Sequence, residues 1–222
     1  MAAMRKAHGD RCAGAPGSAN HASMAGGGIS ILELGEAEPA ESVLGAVEAI
    51  FFEASGRIFA PGPERDAFRE RWLGRYLQGG SDVALVALAG EGAGGGENGD
   101  GGAGGAGGRA VAGYLVGAVE DPAQSPRFAD LSYFRADFAE LCPRYPAHLH
   151  VNLAPAYRGR GIGAQLVEAF AARAAAAGAP GMHVVTGQGM RNVRFYLRCG
   201  FAERGAALWN GRRIVFLGRA LG

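Results

Sequence analysis

The sequence predicts an α/β domain with a mixed central β-sheet flanked by helices. Three observations carry that class. Short apolar or alternating runs have strand length. Other segments repeat apolar residues every three or four positions, as helices do. These segments follow one another as β-α-α-β-β-β-α-β-α-β, an order that builds a mixed sheet in one domain. The chain has 222 residues, enough for one sizeable core or two small ones.

The elements follow in order. Residues 29–34, ISILEL, are a candidate first strand. AESVLGAVEAIFFEA places Val43, Val47, Ile50 and Phe51 at helical spacing. PERDAFRERWLGRYLQ predicts a second helix over 63–78, with Pro63 near its first turn and Phe68, Trp72, Leu73, Tyr76 and Leu77 on one side. DVALVALA and RAVAGYLVGAVE read as two strands around a glycine-rich stretch, 90–108. That stretch is expected to be a flexible hairpin loop, because ordering so many glycines costs too much backbone entropy. Residues 121–146 read as an irregular segment rich in aromatics. AHLHVNLA is a strand with strict alternation. Ile162, Leu166, Phe170 and Ala174 recur every four residues and predict a helix that stops at Gly178. GMHVVT is a buried strand, MRNVRFYLRCGF a short helix ending at Gly200, and RRIVFLGRAL a closing strand. Asn210-Gly211 is a strong hairpin signal just before it. Residues 1–28 are short of large apolar groups and are expected to be a disordered tail, leaving 29–222 as the domain. Met24 is an alternative start.

Composition narrows the function. Lys plus Arg is 22 and Asp plus Glu is 21, a formal net charge of +1. That balance argues against bulk binding of nucleic acid, which needs a concentrated basic surface. The three cysteines, Cys12, Cys142 and Cys199, lack the spacing of a zinc site or a disulfide framework and suit reduced thiols in the cytoplasm. No apolar run is long enough to span a bilayer. No metal site is expected.

One junction carries unusual chemistry. In VNLAPAYRGRGIGA an apolar strand reaches a proline, and two arginines then sit among three glycines before a helix. No GxxxxGK[ST] is present, so this is not a triphosphatase loop. Gly159 to Ala164 fits G-x-G-x-x-A, but four residues separate the strand from the glycines. No acidic residue closes the next strand to hold a ribose, so a dinucleotide site fails on context. R-x-x-G-x-G, from Arg158 to Gly163, at a helix N-terminus suits a pyrophosphate. Glycines let backbone N–H groups converge on phosphate oxygens, the helix dipole adds attraction, and Arg158 and Arg160 can add charge-assisted bonds.

This motif resembles the pyrophosphate loop of the GCN5-related N-acetyltransferases (GNAT). FYLRCGF, 195–201, resembles that family's closing helix, usually FYxxxGF. YPAHLHVNLAP and GAPGMHVVTGQGMRNVRFYLRCGF look most like the acetyltransferase-like domain of O-GlcNAcases and its free-standing bacterial relatives. The resemblance implies a GNAT-like sheet with splayed central strands and acetyl-CoA as co-substrate. It implies direct acetyl transfer to an amine, through a tetrahedral intermediate. The cofactor-binding positions it implies are Leu153, Arg158, Gly159, Arg160, Gly161, Ile162, Gly163, Ala164, Asn192 and Tyr196. The Leu153 N–H would polarise the thioester carbonyl. The family often has Asn seven residues before its helix tyrosine; here that position is Gly189, and Asn192 lies one turn later.

Acetyl transfer also needs a neutral amine. A lysine-like amine is neutral about once in 2,500 molecules at pH 7, so a base or proton path helps. Alternation on the HLHVN strand puts His148, His150 and Asn152 on one face, lining either a wet cleft or buried partners. Either histidine is a candidate base, and water chains are the alternative. Tyr196 occupies the family's tyrosine position and is the candidate proton donor to the leaving thiolate, or else a core aromatic. His183 reads as a packed or edge histidine and Cys199 as a small core residue. Trp209 reads as structural or as a rim for the acceptor, and the aromatic segment as a lid or as packing. The partner expected is a small-molecule or peptide amine, with the chain a monomer or homodimer. Two classes of function stay open: an active N-acetyltransferase, and a catalytically weak GNAT-fold module that binds acetyl-CoA or a protein or sugar partner.

Overall fold

The computed structural model of the chain describes residues 28–90 and 109–222. The expected tail over 1–28 and glycine loop over 90–108 lie outside the described residues, apart from Gly28 and Gly90. Seven strands form one sheet in the order β1-β2-β3-β4-β5-β7-β6. They are β1 Ile29–Glu33, β2 Asp82–Ala89, β3 Ala110–Ala118, β4 Ala147–Leu153, β5 Gly181–Gly187, β6 Ala202–Trp209 and β7 Arg212–Ala220. The helices are α1 Ala40–Ser55, α2 Pro63–Trp72, the single turn α3 Tyr133–Ala136, α4 Ile162–Ala176 and α5 Arg191–Arg198. β4 and β5 run parallel; every other neighbouring pair is antiparallel.

The sheet is covered on both faces, which is why β2 and β3 are almost continuously apolar. One face packs on α1, α2 and the aromatic segment over 121–146. The other packs on α4 and α5. Ile162, Leu166, Phe170 and Ala174 form the buried stripe of α4, as their four-residue spacing predicts. Each large side chain of that stripe contributes about 1.5–3 kcal/mol by leaving water. Gly117 on β3 sets how closely α4 approaches: a Cβ there would lie 2.4 Å from the His148 carbonyl oxygen and 2.7 Å from the Phe170 ring. The five aromatics Phe128, Tyr133, Phe134, Phe138 and Tyr145 are all buried, so the 121–146 segment is core packing and not a lid.

Two elements differ from expectation. The second helix stops at Trp72, not at residue 78. Leu73 takes φ −132° and ψ −59°, and a 3-10 turn follows over Gly74–Tyr76. Breaking the helix there turns both Leu73 and Tyr76 into the core. β6 is an additional strand, completing the hairpin that Asn210-Gly211 announces.

β4 and β5 pair at only two positions, Ala147 with Met182 and His148 with His183. Beyond them the strands part. At the last pair the two histidine rings stack, 5.4 Å between centroids. His183 also stacks on Phe216 at 4.3 Å, and His148 meets the edge of Phe128 at 4.6 Å. Each Nδ1 faces a backbone carbonyl, His148 that of Pro146 at 3.2 Å and His183 that of Tyr145 at 2.5 Å. Neither Nε2 has a protein partner. His148 is 3% exposed, so it does not reach a cleft and the expectation of a base at this position is corrected. Strand alternation placed it on the right face but could not show that the aromatic segment closes over it. Burial pushes the His183 pKa down to about 4. Burial, with His183 next to it, holds His148 well below the ordinary range.

Two measurements test this packing. A histidine that stays neutral when folded but titrates near 6.5 when unfolded stabilises the protein above pH 6.5. That stability is lost as pH falls from about 6.5 toward 4, at up to about 1.4 kcal/mol per pH unit for each histidine. Urea unfolding between pH 7.5 and 4.5 should show this slope, and His183→Phe should flatten it; parallel slopes would mean that His183 titrates normally. Gly117→Ala should cost about 1–3 kcal/mol by overpacking, lowering Tm by several degrees in calorimetry.

Candidate acetyl-transfer site

The site is assembled where β4 and β5 separate. After β4 the chain makes a 3-10 turn over Pro155–Tyr157 and enters the basic turn. Gly159 and Gly161 have φ of 77° and 79°, conformations that side chains with a Cβ rarely adopt. A Cβ on either would meet nothing within 4 Å, so the backbone there faces open space. Gly163 is glycine for another reason. A Cβ on it would lie 3.2 Å from the Phe195 ring, so its absence seats the first turn of α4 against α5. Gly161 caps α4 without a side-chain hydrogen bond. The Gln165 N–H is the first to reach back, to the Gly161 carbonyl, which leaves the N–H groups of Ile162, Gly163 and Ala164 for an outside acceptor. The exposed guanidinium of Arg160 lies 5.4 Å from the Tyr157 ring centre. Arg158 is also exposed, and its Nε donates to the Leu153 carbonyl at 3.0 Å. This geometry suits an anion with several oxygens.

The backbone of β4 supplies a second feature. The Ala154 N–H donates to Ala112 on β3 at 3.0 Å. Alternation therefore turns the Leu153 N–H to the other edge, toward β5, where pairing has ended. Tyr196, on α5, is buried with its hydroxyl in hydrogen-bonding reach of the Val151 backbone on that same edge. Burial pushes its pKa up, so the hydroxyl keeps its proton. Asn192 lies in the first turn of α5, where its Oδ1 accepts from the Thr186 hydroxyl of β5 at 3.1 Å.

The polar row of β4 divides. His148 belongs to the buried cluster already described, whereas His150 and Asn152 line a cleft of about 150 Å³ with Phe51, Phe68 and Trp72. Asn152 Nδ2 donates to the Tyr114 hydroxyl at 2.8 Å. The Tyr76 hydroxyl meets His150 Nε2 at 3.2 Å, and Trp72 meets the ring edge-on at 5.7 Å. Burial, with help from the nearby Arg75 charge, pushes the His150 pKa down to about 4. His150 is therefore neutral at pH 7. The cleft shares His150, Trp72 and Phe68 with a larger groove of about 910 Å³ that runs to Trp209 and Arg212 on the β6–β7 hairpin. Tyr76 was legible only as a helix-face aromatic; its role beside His150 depends on the break after Trp72. Among the described residues no three His, Cys, Asp or Glu side chains gather as a metal site, and no helix is long and apolar enough to cross a membrane.

Comparison with known proteins bears on this arrangement. The family model of the acetyltransferase (GNAT) domain matches residues 128–203, from the aromatic segment through the basic turn and α5 to the start of β6. Among solved structures, SsHAT is 21% identical with a TM-score of 0.57, covering 87% of this chain and 98% of its own. A GCN5-related N-acetyltransferase from Kribbella flavida is 16% identical with a TM-score of 0.52, covering 86% and 97%. The Salmonella typhimurium protein yncA, solved with its cofactor acetyl-CoA, is 18% identical with a TM-score of 0.50, covering 88% and 95%. Matches of this kind span nearly the whole of each neighbour, and the chain has the fold of the GCN5-related N-acetyltransferases.

Proposed function

We propose that the chain is an N-acetyltransferase that uses acetyl-CoA and acts on an amine bound in the cleft beside His150. One observation carries the reading. The open N–H of Leu153, the Tyr196 hydroxyl and the basic glycine turn all lie at the gap between β4 and β5. Acetyl-CoA supplies an activated acyl group and a thiolate leaving group; the residues supply the rest. Arg158, Arg160 and the N–H groups of Ile162, Gly163 and Ala164 hold the pyrophosphate, with Gly159 and Gly161 giving the backbone its approach. To do so Arg158 leaves, or shares, its bond to the Leu153 carbonyl. The Leu153 N–H donates to the acetyl oxygen as negative charge builds there. Tyr196, with its proton retained, donates it to the departing thiolate. His150 is neutral and half-buried at the cleft. It accepts a hydrogen bond from the attacking amine and, with a pKa near 4, passes the proton on to water instead of storing it. Asn152 lines the same cleft and orients the acceptor. Asn192 stands in for the family's asparagine one turn from its usual place. The likeness to the O-GlcNAcase-associated domain rests on sequence alone and suggests glycosamines for an acceptor panel.

The second reading, a module that binds acetyl-CoA without transferring the acetyl group, keeps the loop and dispenses with Tyr196. Calorimetry and turnover separate the two. At about 100 times Kd, acetyl-CoA should stabilise the fold by about 2.7 kcal/mol, and NAD should not. Arg158→Ala should weaken acetyl-CoA binding by about tenfold to a hundredfold, raise KM and leave kcat nearly unchanged, because its contacts are the same in ground and transition states. Tyr196→Phe should lower kcat by up to about a hundredfold with little change in affinity. Parent-like acetyl-CoA binding by Arg158→Ala would remove the pyrophosphate assignment. Parent-like turnover by Tyr196→Phe would leave the tyrosine a core residue only.

A further inference from the structure

The groove beyond His150 has a charge pattern that neither the motif nor the fold explains. Four arginines line it, Arg57, Arg71, Arg75 and Arg212, against two acidic residues, Glu70 and Asp130, and Arg57 is itself paired with Glu64 at 2.8 Å. The chain as a whole is nearly neutral, at +1; with Arg57 paired, the cations left to the groove are Arg212 and the one guanidinium that Asp130 does not neutralise. Asp130 is already shared. Arg75 holds both its oxygens, at 2.9 and 3.1 Å, and Arg71 Nε takes one at 2.6 Å while its Nη2 donates to the Asp130 carbonyl at 3.3 Å. One carboxylate thus fixes two guanidiniums and neutralises one of them. Arg75 is spent on structure: it is largely buried and also donates to the Arg127 carbonyl at 3.1 Å. Arg71 is more exposed and faces the groove, as does Arg212 on the β6–β7 hairpin. The walls are aromatic. Trp72 stands against His150, and Trp209 is braced edge-on by Tyr133 at 5.0 Å.

We infer that the acceptor is a small amine carrying an anionic group and an apolar or aromatic body. Its anion sits on Arg212 and Arg71, its body lies between Trp72 and Trp209, and its amine reaches His150. The guanidinium fork of Arg212, joined by the Nη1 side of Arg71 that Asp130 leaves, selects planar or tetrahedral oxyanions, and the indoles supply rigid apolar contact. The same positive field also disfavours an ammonium, which helps keep the attacking nitrogen neutral; the Arg75 charge already acts in this sense on His150. The inference rests on the acetyl-transfer reading only for the amine. The anion site stands on the groove itself and is tested without turnover.

The test is calorimetric titration of the full chain with acetylated product analogues. N-acetylphenylalanine and 4-acetamidophenylacetate place the anion near to or far from the acetamide. Each is compared with its carboxamide and with the phosphonate of the same skeleton. At least one acid should bind about tenfold or more tighter than its carboxamide, and the preference should shrink with added salt. A tighter phosphonate would assign the site to phosphate-like acceptors, a tighter carboxylate to amino acids. Arg212→Gln should abolish the preference, Arg212→Lys should keep part of it, and acetyl-CoA binding should be unchanged in both. Equal binding of acid and amide, or no binding of any acid at millimolar concentration, would overturn the inference. Failure of acetyl-CoA to bind the parent would instead remove the acetyl-transfer reading and leave the anion site to be judged by these titrations.

Discussion

A β-strand that loses its neighbour must still satisfy its backbone, and the edge of β4 facing β5 has a strand beside it at only two residues. Beyond His148 the accounting is done by side chains. Tyr196 reaches the Val151 backbone, and Arg158 reaches the Leu153 carbonyl. The Leu153 N–H is the group left over. α5 must lie where its tyrosine can enter the gap, and the basic turn must fold back far enough for Arg158 to close it. The first turn of α4 then follows from Gly163, where Phe195 occupies the space of a missing Cβ.

Charge is handled locally throughout. The basic turn gathers two arginines and three open N–H groups within a few residues, and the groove beside His150 gathers two of its arginines around one carboxylate. Between them the histidines of β4 and β5 are kept neutral by burial, two of them among phenylalanines. A neutral interior separates these two regions, and on the proposed readings an anionic cofactor and an anionic acceptor are drawn to opposite sides of one strand without a large net charge on the chain.

Much of this was legible in the sequence because it is local. The spacing Arg158-x-x-Gly161-x-Gly163 fixes the turn, the four-residue repeat from Ile162 to Ala174 fixes the buried face of α4, and alternation puts His148, His150 and Asn152 on one face. What was not legible depends on contacts across the chain. His148 and His150 are equivalent by periodicity, yet Phe128 and Phe134 cover only the first. β6 escaped because an edge strand written AERGAALW need not be apolar on either face; its residues alternate only between exposed and half-buried. Arg71, Arg75, Asp130 and Arg212 come from distant segments, and nothing in the spacing of any one shows that they share a groove. The early stop of α2 at Trp72 is a tertiary effect as well, since core burial of Leu73 and Tyr76 outweighs continued helix.

The alternation of β4 has a kinetic meaning. Its odd-numbered residues belong to the side of α4 and the basic turn, and its even-numbered ones to the side of α1 and α2. On the proposed reading the two reagents enter from opposite faces and meet only at the gap, so neither blocks the other's entrance or exit. That arrangement favours a ternary complex over a shuttled acyl group. The two described cysteines agree with it. Cys142 and Cys199 are both buried, and burial raises both thiols, Cys142 up to about 12, so neither is poised to carry an acyl group between faces. On that reading, order of binding is set by affinity and concentration, not by access, and an acetylated product can depart while the spent coenzyme is still held.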